Sequence, residues 1–163
     1  MIDAVRKKRR WREDRGEAWV AAQVSLLLLF VAAPRWEGPW PAAYRKLGAR
    51  IGASAGLAGA ALMVPGLCQL GRHLTALPKP GPDAVLVQDG AYGIVRHPLY
   101  SGATLVLLGG GLATARLSRV GLALGALAFF DAKARREERW LVEKFPDYSA
   151  YRRRVRKLIP LLY

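Results

Sequence analysis

A chain of 163 residues is the size of one domain, and this one is 52% hydrophobic while carrying a net charge of +14. Its charges come in blocks separated by stretches with almost none, a pattern that excludes an ordinary soluble surface; a charge at mid-membrane costs about 2.5–3.5 kcal/mol on insertion scales. No recognition module accompanies the basic charge, so nucleic acid is not an expected partner, and the single cysteine, Cys68, excludes an intrachain disulfide framework and a zinc cluster.

The first sixteen residues hold Arg6, Lys7, Lys8, Arg9, Arg10, Arg12 and Arg15 against three acids. An apolar run follows from Ala18 to Ala33 and ends at Pro34. A basic head before an apolar run also describes a signal peptide. Here the run leads into Pro34, Arg35 and Trp36 instead of a small-residue cleavage site, which favours an uncleaved first span over 18–33. Trp19 and the Trp36/Trp40 pair are then expected near the two interfaces, where indoles prefer to sit.

From Ile51 to Leu70 twenty residues pass without a charge, about 30 Å of helix and the thickness of the hydrocarbon core. Within this second span Gly52, Gly56 and Ala60 recur every four residues. They either make a small-residue seam for close helix packing or reflect the chance spacing of an alanine-rich segment. Cys68 reads as a small buried hydrophobe.

Residues 71–97 form a polar connector in which Pro78, Pro80 and Pro82 alternate, so an extended loop is expected. His73 stands alone there and is expected to face solvent. A third span covers 98–115, Arg116 to Arg119 form a tight turn, and a fourth covers 119–131 before continuing as helix into the charged segment 132–163. Lys and Arg number seven in 1–16, three in 71–97 and ten in 131–163, against four in 34–50 and two in 116–119. Twenty against six places both termini and the connector in the cytoplasm. The Arg-rich stretch 152–157 reads as a patch for the lipid surface.

Two polar constellations then share one side of the membrane. The first runs from Gly90 to Gly102 and contains Tyr92, Arg96, His97, Pro98 and Tyr100. Pro98 suits the first turn of a helix, and a helix N-terminus offers free N–H groups to a carboxylate. The corner therefore combines a cation, an imidazole and oriented amides. The second is Arg135-Arg136-Glu137-Glu138 with Leu141, followed by Phe145, Tyr148 and Tyr151. Adjacent Glu137 and Glu138 point about 100° apart. Glu138 shares a face with Leu141 and Phe145 and is expected to turn inward toward a cation such as Arg96. Taken singly, an Arg-His pair is often a headgroup anchor, and a Glu-Glu pair in a basic helix a solvated face.

The stretch Leu86-Val87-x-x-Gly90-x-Tyr92-x-x-Val95-Arg96-His97-Pro98-x-Tyr100-x-Gly102 resembles the signature of isoprenylcysteine carboxyl methyltransferases and related phospholipid methyltransferases. Gly71-Arg72-x-Leu74-Thr75 matches the lead-in to that signature. Arg135-x-Glu137-Glu138-x-x-Leu141 is similar to the second motif, and Tyr151-x-x-x-Val155 with Leu158-Ile159-Pro160 resembles the usual end. The resemblance covers about residues 70–160. Two departures stand in the C-terminal part: Phe145-Pro146-Asp147-Tyr148 replaces Phe-Gly-x-x-Tyr, and Val155-Arg156-Lys157 replaces Val-Pro-Arg.

The resemblance implies an all-α polytopic membrane protein of about four transmembrane helices, a single domain over 1–163. Its cytoplasmic pocket for S-adenosylmethionine would be formed by the connector and the C-terminal helical segment. Gly90, Tyr92, Arg96, His97, Pro98, Tyr100, Glu137 and Glu138 would bind the cofactor, with Arg96 and Glu138 catalytic and no metal. The acceptor would be lipidic or a small amphiphile: a carboxylate first, a phospholipid amine or a small thiol otherwise. A chain without catalysis, a basic anchor that binds anionic lipid or a partner, is the competing expectation.

Overall fold

The computed structural model describes residues 16–33 and 40–163. The basic head before Gly16, and the Pro34, Arg35 and Trp36 that follow the first apolar run, lie outside these. Among the described residues the secondary structure is helical: α1 (Glu17–Ala32), α2 (Ala42–Leu70), a 3-10 turn at Gly71–His73, a short α3 (Ala91–Ile94), α4 (Pro98–Ala113), α5 (Leu117–Lys144) and α6 (Tyr148–Arg154). An isolated parallel bridge joins Val95 to Arg156.

Two boundaries and one burial differ from those expected. Helix α2 starts at Ala42, nine residues before the uncharged stretch begins. Arg45, Lys46 and Arg50 interrupt the hydropathy, but arginine and lysine are good helix formers, and Pro41 at the N-cap sets the start. The turn between α4 and α5 takes residues 114–116, with Ala115 at a φ of 50°, so Arg119 is helical. Cys68 is exposed. It lies two residues, about 200° of helix rotation, from the buried Gly66 and so points away from the packed face.

Within α2 and its 3-10 tail, Ala42–His73, an 18-residue stretch reaches a mean hydropathy of 1.6, and the helix is long and apolar enough to cross a membrane. Helices α1 and α4, at 16 residues each, are shorter apolar helices. Much of this apolar surface has no protein against it. Leu57 is 72% exposed and Val31 71%, values that call for lipid around them.

The most extensive packing joins α2 to α4. It is made by glycine, in a register of seven residues and not of four. A Cβ at Gly52 would come within 2.4 Å of the Gly109 carbonyl oxygen, and one at Gly59 within 2.6 Å of the Gly102 oxygen. The two residue numbers rise on one helix as they fall on the other, so the helices run antiparallel. Gly66 closes the series against Leu99 and Pro98. A Cβ at Gly56 would meet nothing within 4 Å. Glycine at the contact lets the two backbones approach, the usual way to gain dispersion energy where lipid removes the hydrophobic drive.

Helix α1 lies on α5 through Trp19 against Phe129 (ring centroids 5.6 Å apart). Arg116 and Arg119 donate to the carbonyls of Ala33 (3.0 Å) and Val31 (3.2 Å), which puts cations at the C-terminal end of α1. At the other end Gly16 packs on Pro78 of the connector, and Lys144 of α5 donates to the carbonyls of Gly81 and Pro82. The start of α1, the connector and the charged half of α5 therefore share one end of the bundle.

The glycine register sets a test. Gly59→Ala forces backbone against backbone and is expected to lower stability by about 1–3 kcal/mol. Gly56→Ala has open space and better helix propensity, so it is expected to be neutral or to stabilise by up to about 1 kcal/mol. Thermal unfolding of the two variants in one detergent gives the comparison, and equal effects would count against the seam.

Candidate functional site

The connector reaches α4 through a corner that only glycine makes easily. Gly90 has a φ of 56°, and a Cβ there would sit 2.0 Å from the side-chain nitrogen of Gln69. Gln69, at the end of α2, grips both flanks of that corner. Its Nε2 donates to the Asp89 carbonyl (3.0 Å) and its Oε1 accepts from the Ala91 N–H (3.0 Å). After the single turn of α3 the chain extends through Val95. There the Arg96 N–H donates to the Arg156 carbonyl (2.8 Å) and the His97 N–H to that of Lys157 (3.2 Å). Pro98 then takes the first position of α4, as expected from its missing N–H.

This route brings Arg96 and His97 onto Glu138 of α5. Arg96 Nε and Nη2 each lie 2.8 Å from Glu138 Oε1, and His97 Nε2 lies 3.2 Å from the same oxygen. A carboxylate only accepts, so Nε2 carries a proton in this contact. Arg96 Nη1 donates to the carbonyls of Arg152 (3.2 Å) and Val155. Both members of the ion pair are buried, with side-chain exposures of 8% and 6%. Burial by itself would raise the Glu138 carboxyl. The hydrogen bonds and charges of His97 and Arg96 overcome it and hold the pKa below its ordinary 4.5, at about 2.

Glu137, one position earlier, points elsewhere. It accepts from the Tyr100 hydroxyl (2.7 Å), and its Oε2 is 3.9 Å from His97 Nδ1. Tyr100 in turn stacks between His97 (5.4 Å) and Phe130 (5.1 Å). Tyr151 donates to the Tyr92 carbonyl (2.6 Å), and Tyr148 meets Tyr151 edge-on at 5.7 Å. The Tyr148 hydroxyl is buried and has no hydrogen-bond partner among the described residues. Burial pushes the phenols of Tyr92, Tyr148 and Tyr151 up, so all three stay neutral donors at ordinary pH.

These groups wall part of a cavity of about 380 Å³, within the range of small-molecule sites. Tyr92, Arg96, His97, Pro98, Tyr100 and Glu137 all line it, together with Tyr148 and Tyr151. Two of the expected residues do not. Glu138 stands one layer behind the wall, holding Arg96 and His97, and Gly90 makes the corner that delivers them. Much of the rest of the lining is apolar, with Met63, Leu67 and Leu70 of α2 and Leu74, Val85 and Leu86 of the connector. Gln23 of α1 and Lys133 of α5 also reach the cavity. Neither stood out in the sequence, where Gln23 is one polar residue in an apolar run and Lys133 one base among ten. Among the described residues no cluster of histidine, cysteine or carboxylate groups could hold a metal.

Residues 53–143, more than half of the chain, match the model of the isoprenylcysteine carboxyl methyltransferase (ICMT) family. The chain belongs to that family. It is 38% identical over 97 residues to the protein-S-isoprenylcysteine O-methyltransferase of Schizosaccharomyces pombe, covering 55% of this chain and 39% of that protein. It is 32% identical over 130 residues to the cobalt-zinc-cadmium resistance protein CzcN of Cupriavidus metallidurans, covering 78% of this chain and 55% of that one. The nickel-cobalt-cadmium resistance protein NccN of Alcaligenes xylosoxydans xylosoxydans is 28% identical over 145 residues, which is 88% of this chain and 62% of that protein. A solved structure of the eukaryotic intramembrane Ras methyltransferase ICMT superposes with a TM-score of 0.66 at 25% identity, over 90% of this chain and 53% of that one. The chain thus spans about half the length of the relatives it matches. The ICMT match encloses both motifs, from the helix that carries Gln69 to the end of the Glu137–Glu138 turn.

The Glu138 site predicts an acid response. Its folded pKa lies below the unfolded one, so the unfolded chain binds more protons between about pH 4.5 and about pH 2. The stability due to this group is complete above that window and is lost as pH falls through it. Glu138→Gln is expected to flatten that part of the stability–pH curve. It should also lower stability at pH 7 by about 3 kcal/mol or more, since it leaves Arg96 buried without its counter-ion. Chemical unfolding from pH 7 to pH 3 reads both effects, and an unchanged slope would count against the pairing.

Proposed function

We propose that this chain is an S-adenosylmethionine-dependent methyltransferase that modifies a lipidic or small amphiphilic acceptor at the cytoplasmic face of a membrane, the inner membrane of a bacterium. Its single domain would span the bilayer four times, with α1, α2, α4 and the first half of α5 as spans and both termini inside. The charge distribution, twenty Lys and Arg against six, supports this orientation. So does the gathering of the connector, the start of α1 and the charged half of α5 at one end of the bundle.

The mixed lining of the cavity carries the reading. Part of it offers charges and hydroxyls and the rest mainly apolar side chains, as suits a polar cofactor meeting an amphiphile. The polar part also fits the cofactor in detail. The buried Tyr148 hydroxyl lacks, among the described residues, a partner that a polar ligand would provide. Aromatic rings beside the Glu137 carboxylate suit a sulfonium cation. Tyr92, His97, Pro98, Tyr100, Glu137 and Tyr148 would hold the cofactor, with Arg96 between cofactor and acceptor. Gly90 and Glu138 would act from behind, by fixing the corner and the arginine.

When bound, S-adenosylmethionine supplies a methyl group on sulfur that an acceptor nucleophile displaces in line. The work of the chain is to orient the partners and keep water out. Arg96 is well placed to orient, because Glu138 and two backbone carbonyls fix its guanidinium. A carboxylate acceptor is already ionised at neutral pH and asks for no base. An amine acceptor would need one, from His97 or Glu138, and Glu138, with a pKa of about 2 and Arg96, His97 and Arg152 around it, is a poor one.

Calorimetric titration with S-adenosylhomocysteine, on the full chain in lipid nanodiscs, tests the reading. Saturable binding is expected, weakened roughly tenfold or more by Glu138→Gln and by His97→Ala, and a few-fold by Tyr148→Phe, which removes one hydrogen bond. A folded wild type that binds nothing would overturn the enzyme reading and leave the basic membrane anchor in its place.

A further inference from the structure

Lys133 is the least expected group in the cavity wall. It is 1% exposed, on the face of α5 that also presents Phe130 and Glu137. Its ammonium donates to Gln23 Oε1 (2.5 Å) and to the Ala76 carbonyl (3.1 Å), and sits 5.3 Å from the centre of the Tyr100 ring. Burial pulls its pKa down, and the charge of Glu137 works in the opposite direction. Among the described residues no carboxylate comes within ion-pairing distance of Nζ. Arg96, by contrast, is paired with Glu138. The cavity therefore holds one compensated cation and one whose protein partners are neutral.

A buried cation with only neutral partners favours an anion beside it. The donors left over say which kind. An ammonium has three N–H groups, and two of these are used. Gln23 accepts through Oε1, which leaves its amide NH2 without a protein partner among the described residues. One N–H from Lys133 and the amide of Gln23 make a two-pronged donor set, matched to the two oxygens of a carboxylate. A phosphate would want more donors, and an ammonium would be repelled. Apolar surface adjoins the point directly: Phe130 lies one turn before Lys133, and Ala103 is on the same wall.

We propose that Lys133 and Gln23 are specificity-determining residues that grip the carboxylate of an amphiphilic ligand and align its chain with the apolar part of the cavity. This rests on the methyl-transfer reading for its biological meaning, and the carboxylate gripped is that of the acceptor. The pair adjoins the cofactor site: Lys133 Nζ sits 5.3 Å from the centre of the Tyr100 ring, so a carboxylate held there stands beside the groups that would bind the cofactor.

The test uses two matched probes, N-acetyl-S-dodecylcysteine and its carboxamide, titrated into the full chain in nanodiscs with and without S-adenosylhomocysteine. Wild type is expected to prefer the carboxylate roughly tenfold, the worth of one charge-assisted hydrogen bond. Lys133→Met should bring the ratio to about one, and Lys133→Arg should keep the preference. A strut that merely ties α1 and the connector to α5 would lower thermal stability in Lys133→Met and leave the ratio alone, which would overturn the proposal. Should Lys133→Met fail to fold, Gln23→Leu removes the amide and keeps the charge. It is expected to cut the preference roughly threefold, and no change would again overturn it. A wild type without preference sinks the proposal outright. The two readings fail separately: selectivity without S-adenosylhomocysteine binding removes the methyltransferase, and the reverse removes only the carboxylate grip.

Discussion

The buried ion pair between Arg96 and Glu138 is the constraint that organises this end of the molecule. Taking two charges out of water costs several kcal/mol per ion, and mutual attraction offsets that cost only when every remaining donor and acceptor is met. Here the requirement is met by three distant parts of the chain. The connector brings Arg96 and His97, α5 brings Glu138, and the C-terminal end of α6 brings the carbonyls of Arg152 and Val155. The pair is thus less a source of stability than a specification: a shift in any of the three leaves a charge unmatched. The Gly90 corner, the Gln69 clamp and the backbone bonds from Arg96 and His97 to Arg156 and Lys157 follow from that need.

The other half of the molecule answers a different demand. Where apolar side chains face outward, helices gain little by burying leucine against leucine, and α2 and α4 meet instead through glycine and backbone. The two regimes join at Pro98. It opens α4 directly after His97, and Gly66 of α2 packs against its ring. The site is therefore built at the foot of the tightest helix pair in the bundle, and the residues next to it inherit that rigidity.

Much of the site was legible because its chemistry is written in two short runs. Arg96-His97-Pro98 announces a helix start with a cation and an imidazole ahead of it, and the inward turn of Glu138 follows from sharing a face with Leu141. The family to which the chain belongs was legible from the same runs. What escaped depends on partners remote in sequence. Gln23 meets Lys133 across 110 residues, and Gln69 meets the Asp89–Ala91 corner across about twenty. The seam was half legible. Gly52 takes part, but which of the other glycines of α2 make the contact, Gly59 and Gly66 and not Gly56, is decided by where the opposite helix lies. The start of α2 at Ala42 was hidden by charges that end a hydropathic run without ending a helix.

A contact made of backbone against backbone has no rotamers with which to absorb displacement. Side chains in an ordinary core can re-pack when one helix slides, but the Gly52–Gly109 and Gly59–Gly102 contacts offer nothing that can yield. Helices α2 and α4 must then move as one body. The Gly66–Pro98 contact belongs to that body, so the height along α2 at which α4 begins, directly after His97, is set by the seam itself.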